Sequence, residues 1–108
     1  MVKSYVIERA EKRVPIEVAV HIYAHEQDSK AEETFTENVS SRGARVLTMR
    51  RWQPNDRLVL ASRPGDFLAT ARVAYCQSLR GEGFAIGVEF LEPAGSWVVH
   101  PQPVRENR

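Results

Sequence analysis

The chain predicts an all-β domain, six short strands closed into a small antiparallel barrel or stacked as a sandwich. Three features of its 108 residues lead there. Apolar side chains alternate with polar ones in short runs, the period of a half-buried strand. Proline, glycine, asparagine and aspartate interrupt those runs at regular intervals. No segment carries a convincing helical period of apolar residues.

The first strand is expected over residues 16–22, where Ile16, Val18, Val20 and Ile22 alternate with Glu17, Ala19 and His21. Pro15 marks its start, because proline cannot donate to a ladder. A polar, acidic loop over residues 25–32 leads to a second strand at 33–39, and a turn at 40–43 to a third at 44–49. Pro54-Asn55-Asp56 reads as the next turn and residues 57–62 as the fourth strand. Pro64-Gly65 fits the centre of a type II turn, whose second central position takes the positive φ that glycine accepts. The fifth strand is long, residues 67–78, and Arg80-Gly81-Glu82-Gly83 closes a hairpin into the sixth at 84–90. Pro93, Pro101 and Pro103 oppose a long C-terminal helix. Residues 97–99 are expected to pack back in extended form, and residues 100–108 to form a mobile tail.

A chain of this length makes one domain, expected over residues 1–99, with a single modest core. Its 43% apolar and 27% charged content is ordinary for a soluble globular protein. No apolar stretch is long enough for a signal peptide or a bilayer span, so membrane insertion is not expected. Cys76 is the only cysteine, which excludes an internal disulfide and makes a reducing cytoplasm the expected location. Without secretion the glycosylation sequon Asn38-Val39-Ser40 is empty.

The net charge of +1 hides an asymmetry. Residues 1–13 carry four basic and two acidic groups, and residues 38–57 five basic and one acidic. Between them, residues 26–37 carry five acidic groups and one basic. If the two basic segments meet, they form a local anion site on a surface that is otherwise balanced. A binder of nucleic acid polymers would show a broader positive field, so no such partner is expected.

Two motifs sit in those basic segments. Arg9 and Arg13 stand four apart in Arg9-Ala10-Glu11-Lys12-Arg13. With 12 arginines in the chain, about one such pair arises by chance, so alone it decides little. Asn38-Val39-Ser40-Ser41-Arg42-Gly43 is sharper, with a chance expectation of about 0.02 for this composition. Together they resemble the ligand signature of the PilZ domain family, RxxxR followed by [D/N]xSxxG. The resemblance runs from about residue 8 to residue 91, ending on the Gly87–Phe90 stretch Gly-Val-Glu-Phe.

PilZ domains are six-stranded antiparallel split barrels, and members are typically receptors for the bacterial second messenger cyclic di-GMP. The resemblance therefore implies a non-enzymatic receptor that changes conformation on binding and signals to a downstream protein, with no cofactor. An adaptor that has lost nucleotide binding is the alternative. Glu8 and Glu11 beside the arginines, and the lack of the helix many relatives append, favour it. By the resemblance, Arg9, Arg13, Asn38, Ser40 and Gly43 are the ligand-binding residues, and residues 1–14 a flexible segment that closes on the ligand.

The residue types suit that ligand. Arginine's planar fork bonds phosphate oxygens or a guanine O6/N7 edge bidentately, and its face stacks on purines. The Asn38 amide donates and accepts, matching a guanine edge. Ser40 offers a short hydroxyl, and Gly43 allows a turn and close ligand approach, with backbone N–H groups able to form an anion-binding nest. Lys12, Arg42 and Arg45 are read as solvated charges outside the site.

Other candidates carry less. His21 and His25 imitate a helical metal pair, but four residues along a strand separate them by about 13 Å, too far to share one ion. No metal site is expected. Cys76 reads as a buried structural thiol, and Trp52 and Trp97 as core or lid residues. Glu89 and Glu92 are not read as an acid–base pair, because nothing in the sequence marks a pocket around them.

Overall fold

The computed structural model describes residues 12–24, 30–62 and 66–99. Six strands form: β1 Ala19–Ala24, β2 Glu32–Ser40, β3 Gly43–Thr48, β4 Arg57–Ser62, β5 Phe67–Ser78 and β6 Phe84–Ala94. They close into a barrel in the order β1-β2-β3-β6-β5-β4, every neighbouring pair antiparallel. Closure leaves no unpaired sheet edge. The described residues contain no α-helix, and none that could cross a membrane. Of the sequence expectations, Arg9, His25, Pro64-Gly65, most of the N-terminal segment and the tail 100–108 lie outside the described residues.

Alternation builds the interior. Val20 and Ile22 of β1, Val46 of β3, Leu58 and Leu60 of β4, Val73 of β5 and Ile86 of β6 all point inward and are 0–1% exposed. β-branched and leucine side chains suit that pleated, half-buried surface. The two tryptophans serve opposite ends of β3. The Trp52 indole donates to Thr48 Oγ1 at 3.4 Å, and Trp97 Nε1 donates to the Ser40 carbonyl at 2.8 Å. Both are core residues, 3% and 6% exposed.

Three strand boundaries differ from the sequence expectation by more than one residue. β1 starts at Ala19 rather than Ile16 and runs on to Ala24. Residues 16–18 instead hang on Thr36: its hydroxyl donates to the Ile16 carbonyl at 2.7 Å and accepts from the Val18 N–H at 2.9 Å, and its N–H donates to the Val18 carbonyl at 3.0 Å. A side chain has taken over part of the ladder's role there. β6 runs to Ala94 rather than Phe90, with Leu68 paired to Ala94 and Ala69 to Pro93. Residues 91–94 are exposed, so no apolar alternation announced that extension. Cys76 is half-buried against the core rather than fully buried.

The turn after β2 is tight, with Ser40 paired to Gly43 across Ser41 and Arg42. Gly43 does not take positive φ, which corrects the conformational reason for a glycine and removes the left-handed step of a nest. The reason is space. A Cβ on Gly43 would overlap the Val88 carbonyl oxygen, because the β6 backbone crosses there.

Two substitutions test these contacts. Thr36→Val keeps the shape but strands the buried Val18 donor and the Ile16 acceptor. A loss of about 1–3 kcal/mol in urea unfolding is expected. Gly43→Ala forces β3 and β6 apart and should cost about 1–3 kcal/mol in the same measurement, despite alanine's ordinary φ.

Candidate functional site

The site begins with a register shift. Between β2 and β3, Thr36 pairs with Val46 and Asn38 with Arg45, so Glu37 is an extra residue, a β-bulge. The bulge resets the alternation, turning both Thr36 and Val39 inward. Asn38 is thereby left half-buried at the surface beside the N-terminal segment.

That segment is pinned at its described end. Val14 and Val39 form an antiparallel bridge, with Val14 N–H to the Val39 carbonyl at 2.8 Å and the reverse bond at 2.9 Å. Two reciprocal backbone bonds fix the preceding residue, Arg13, next to Asn38. Its Nη1 donates to Asn38 Oδ1 at 2.8 Å. The expected flexible segment of residues 1–14 is thus anchored at Val14.

Arg13, Ser40 and Gly43 line one cleft of about 460 Å³, together with Arg42, Arg72, Tyr75 and Glu89. Three of the five residues singled out from sequence therefore share a cleft. Asn38 is not in its lining but bonds to Arg13, which is. Arg9 falls outside the described residues. Ser40 is 2% exposed, and its hydroxyl accepts from the Arg42 N–H at 3.3 Å, so it faces its own turn as well as the cleft.

The rest of the lining was not legible as a site. Arg72 on β5 donates to Glu89 Oε1 on β6 through Nη2 at 2.6 Å and Nε at 3.2 Å. Its Nη1 donates to Asn55 Oδ1 at 2.9 Å. Asn55 holds its turn at a φ of 78°, a conformation asparagine tolerates. Glu89 therefore does border a pocket, contrary to the sequence reading, and it offsets Arg72. Of the positive groups that line the cleft, Arg13 is the one whose printed partner leaves its charge unopposed. Among the described residues Arg13 bonds a neutral amide and no carboxylate.

Tyr75 forms a wall. Arg45, Gly87 and Tyr75 align across β3, β6 and β5, and a Cβ on Gly87 would fall into the tyrosine ring. The ring lies where the missing side chain would stand. Arg45 holds it from the other side, donating to the Tyr75 hydroxyl at 3.0 Å and to Glu37 Oε1 at 2.7 Å. The bond to Glu37, then that to Tyr75, raises the Arg45 pKa from its ordinary value. Arg45 is thus a strut of the cleft wall rather than a solvated charge.

The other candidates lie elsewhere. His21 on β1 stands 3.5 Å from Glu33, and no metal-binding cluster of His, Cys, Asp or Glu exists among the described residues. Glu92 pairs with Thr70, away from the cleft. The arrangement offers anion-binding forks around an open, partly aromatic groove of ordinary ligand-site size.

No curated protein matches the chain. A solved structure of the Bacillus subtilis Inhibitor of motility (MotI/DgrA) superposes with a TM-score of 0.65 at 20% identity, covering 78% of this chain and 42% of that one. The likeness is one of fold, and the chain spans less than half the length of that protein. The PilZ domain family model matches residues 7–96, which take in the whole barrel and the positions of both sequence motifs. By that match, over an antiparallel barrel of the expected strand number, the chain belongs to the PilZ domain family.

Proposed function

We propose that the chain is a cyclic di-GMP receptor that changes conformation on binding and signals to a partner protein. The observation that carries this reading is the convergence of Arg13, Ser40 and Gly43 on one cleft, with Asn38 bonded to Arg13. The motif halves are 25 residues apart in sequence, yet a guanidinium and an amide from them meet at 2.8 Å. Cyclic di-GMP carries two phosphodiester anions and two guanine edges. Arg13 supplies a fork for either, and Arg9 is assigned the second fork. In binding, the ligand would exchange the Arg13–Asn38 bond for contacts of its own.

No metal or cofactor enters this reading, and no residue is assigned a catalytic role. The place of action we assign is the cytoplasm, where a second messenger is available. The structural relative is an inhibitor of motility by its name. Control of motility or surface attachment through a partner protein is the output we assign here.

Titration calorimetry of the full chain tests the ligand. Cyclic di-GMP should bind, while GTP and cyclic di-AMP should bind far more weakly. No heat with any of them would leave the adaptor without nucleotide binding. Salt-sensitive binding to many oligonucleotides would instead mark a polymer binder.

The forks are tested singly. Arg9→Ala or Arg13→Ala should cost about 1.5–3 kcal/mol of binding, the value of a charge-assisted hydrogen bond. The dissociation constant should rise roughly ten- to hundredfold. Thermal unfolding of both variants should stay close to that of the parent chain, since an exposed hydrogen bond contributes little to the fold. Unaltered affinity in both would remove the arginines from the site.

A further inference from the structure

The turn that carries the second motif has its carbonyl groups held from a distant part of the chain. The Ser40 carbonyl accepts from the Trp97 indole at 2.8 Å in a buried setting, 57 residues away in sequence. The Arg42 carbonyl accepts from the Phe90 N–H at 2.8 Å. Both donors belong to the same C-terminal unit, because Phe90 and Trp97 pack edge to face with centroids 5.1 Å apart. Phe67 completes the cluster, 5.0 Å from Phe90 and 4.6 Å from Trp97.

We infer that Trp97 is a positioning residue of the cleft, its indole N–H fixing the Ser40–Gly43 turn and tying it to the C-terminal segment. This rests on reading the cleft as the cyclic di-GMP site. The physical argument is rigidity. An indole locked between two aromatic rings has little freedom to follow the Ser40 carbonyl if that carbonyl moves. Breaking that buried bond costs free energy, so a displacement of the turn is coupled to Trp97. A ligand that shifts the turn therefore shifts residues 97–99, among which Val98 is 43% exposed and open to contact by a partner. The signal leaves the barrel by the segment after β6. It needs no hinge in the strands.

Trp97→Phe tests this, since it keeps an aromatic ring in the cluster and deletes the donor, and the amides across the barrel control for the packing volume lost with the indole. In the full chain without ligand, amide exchange at Arg42 and Phe90 should quicken by about fivefold or more, as loss of one neutral hydrogen bond dictates. Leu60 and Ile22, across the barrel, should keep their rates. Equal quickening at all four amides, or none at Arg42 and Phe90, would reduce Trp97 to ordinary core packing. In titration with cyclic di-GMP the variant's dissociation constant should rise by about fivefold. Parental affinity in the variant would overturn the positioning role.

If the parent chain binds no cyclic di-GMP, the receptor reading falls and the ligand-free exchange alone decides the Trp97 tie. Should the variant fail to fold, the parent chain still answers. The Trp97 indole N–H and the Phe90 amide should open with the same free energy as temperature is varied. Independent opening of the two would refute the coupling.

Discussion

Close approach of two backbones, β3 and β6, is the constraint on which the molecule depends. The barrel order places these strands side by side although β4 and β5 intervene in sequence, and the ring closes only if they pair. Gly43 permits it, and Gly87 makes room for Tyr75 of β5. At Gly43 the β6 carbonyl of Val88 occupies the space a side chain would need, and at Gly87 the Tyr75 ring does. Both glycines line the cleft.

Its walls are then built by pairs reaching across the sheet. Tyr75 covers Gly87 and is braced by Arg45, which is itself held by Glu37 of the bulge. Arg72 is fixed by Glu89 and Asn55, so its fork is already engaged within the protein. Such exposed ion pairs add little to stability, and their effect is to set the orientation of side chains around the groove. Arg13 differs in kind. A backbone bridge one residue away positions it, and a neutral amide holds its charge, an arrangement that a stronger anionic acceptor can displace.

The turn of residues 40–43 is the junction of these arrangements. One side faces the cleft; the other is bonded to the aromatic cluster of Phe67, Phe90 and Trp97 beneath it. A cleft-facing turn carried on a buried cluster combines surface access with core rigidity. The C-terminal segment, which lacks a ladder of its own after Ala94, is held by the same cluster. Site and segment therefore share one support.

Local pattern determined the six strands, because alternation and turn chemistry are properties of neighbouring residues, and it placed β3, β4 and β5 to within a residue. It also delivered both motifs, whose residue types state their chemistry wherever they fold. It could not see the Glu37 bulge, so periodicity alone would group Phe35 with Val39, whereas Phe35 is 43% exposed and Thr36 lies inside. Nor could it see Arg72, Tyr75 and Glu89 as one site, for each reads alone as an ordinary strand residue. What brought them together was barrel closure between strands distant in sequence. What each side chain meets on a non-consecutive strand is a property of the assembled sheet rather than of any stretch of chain.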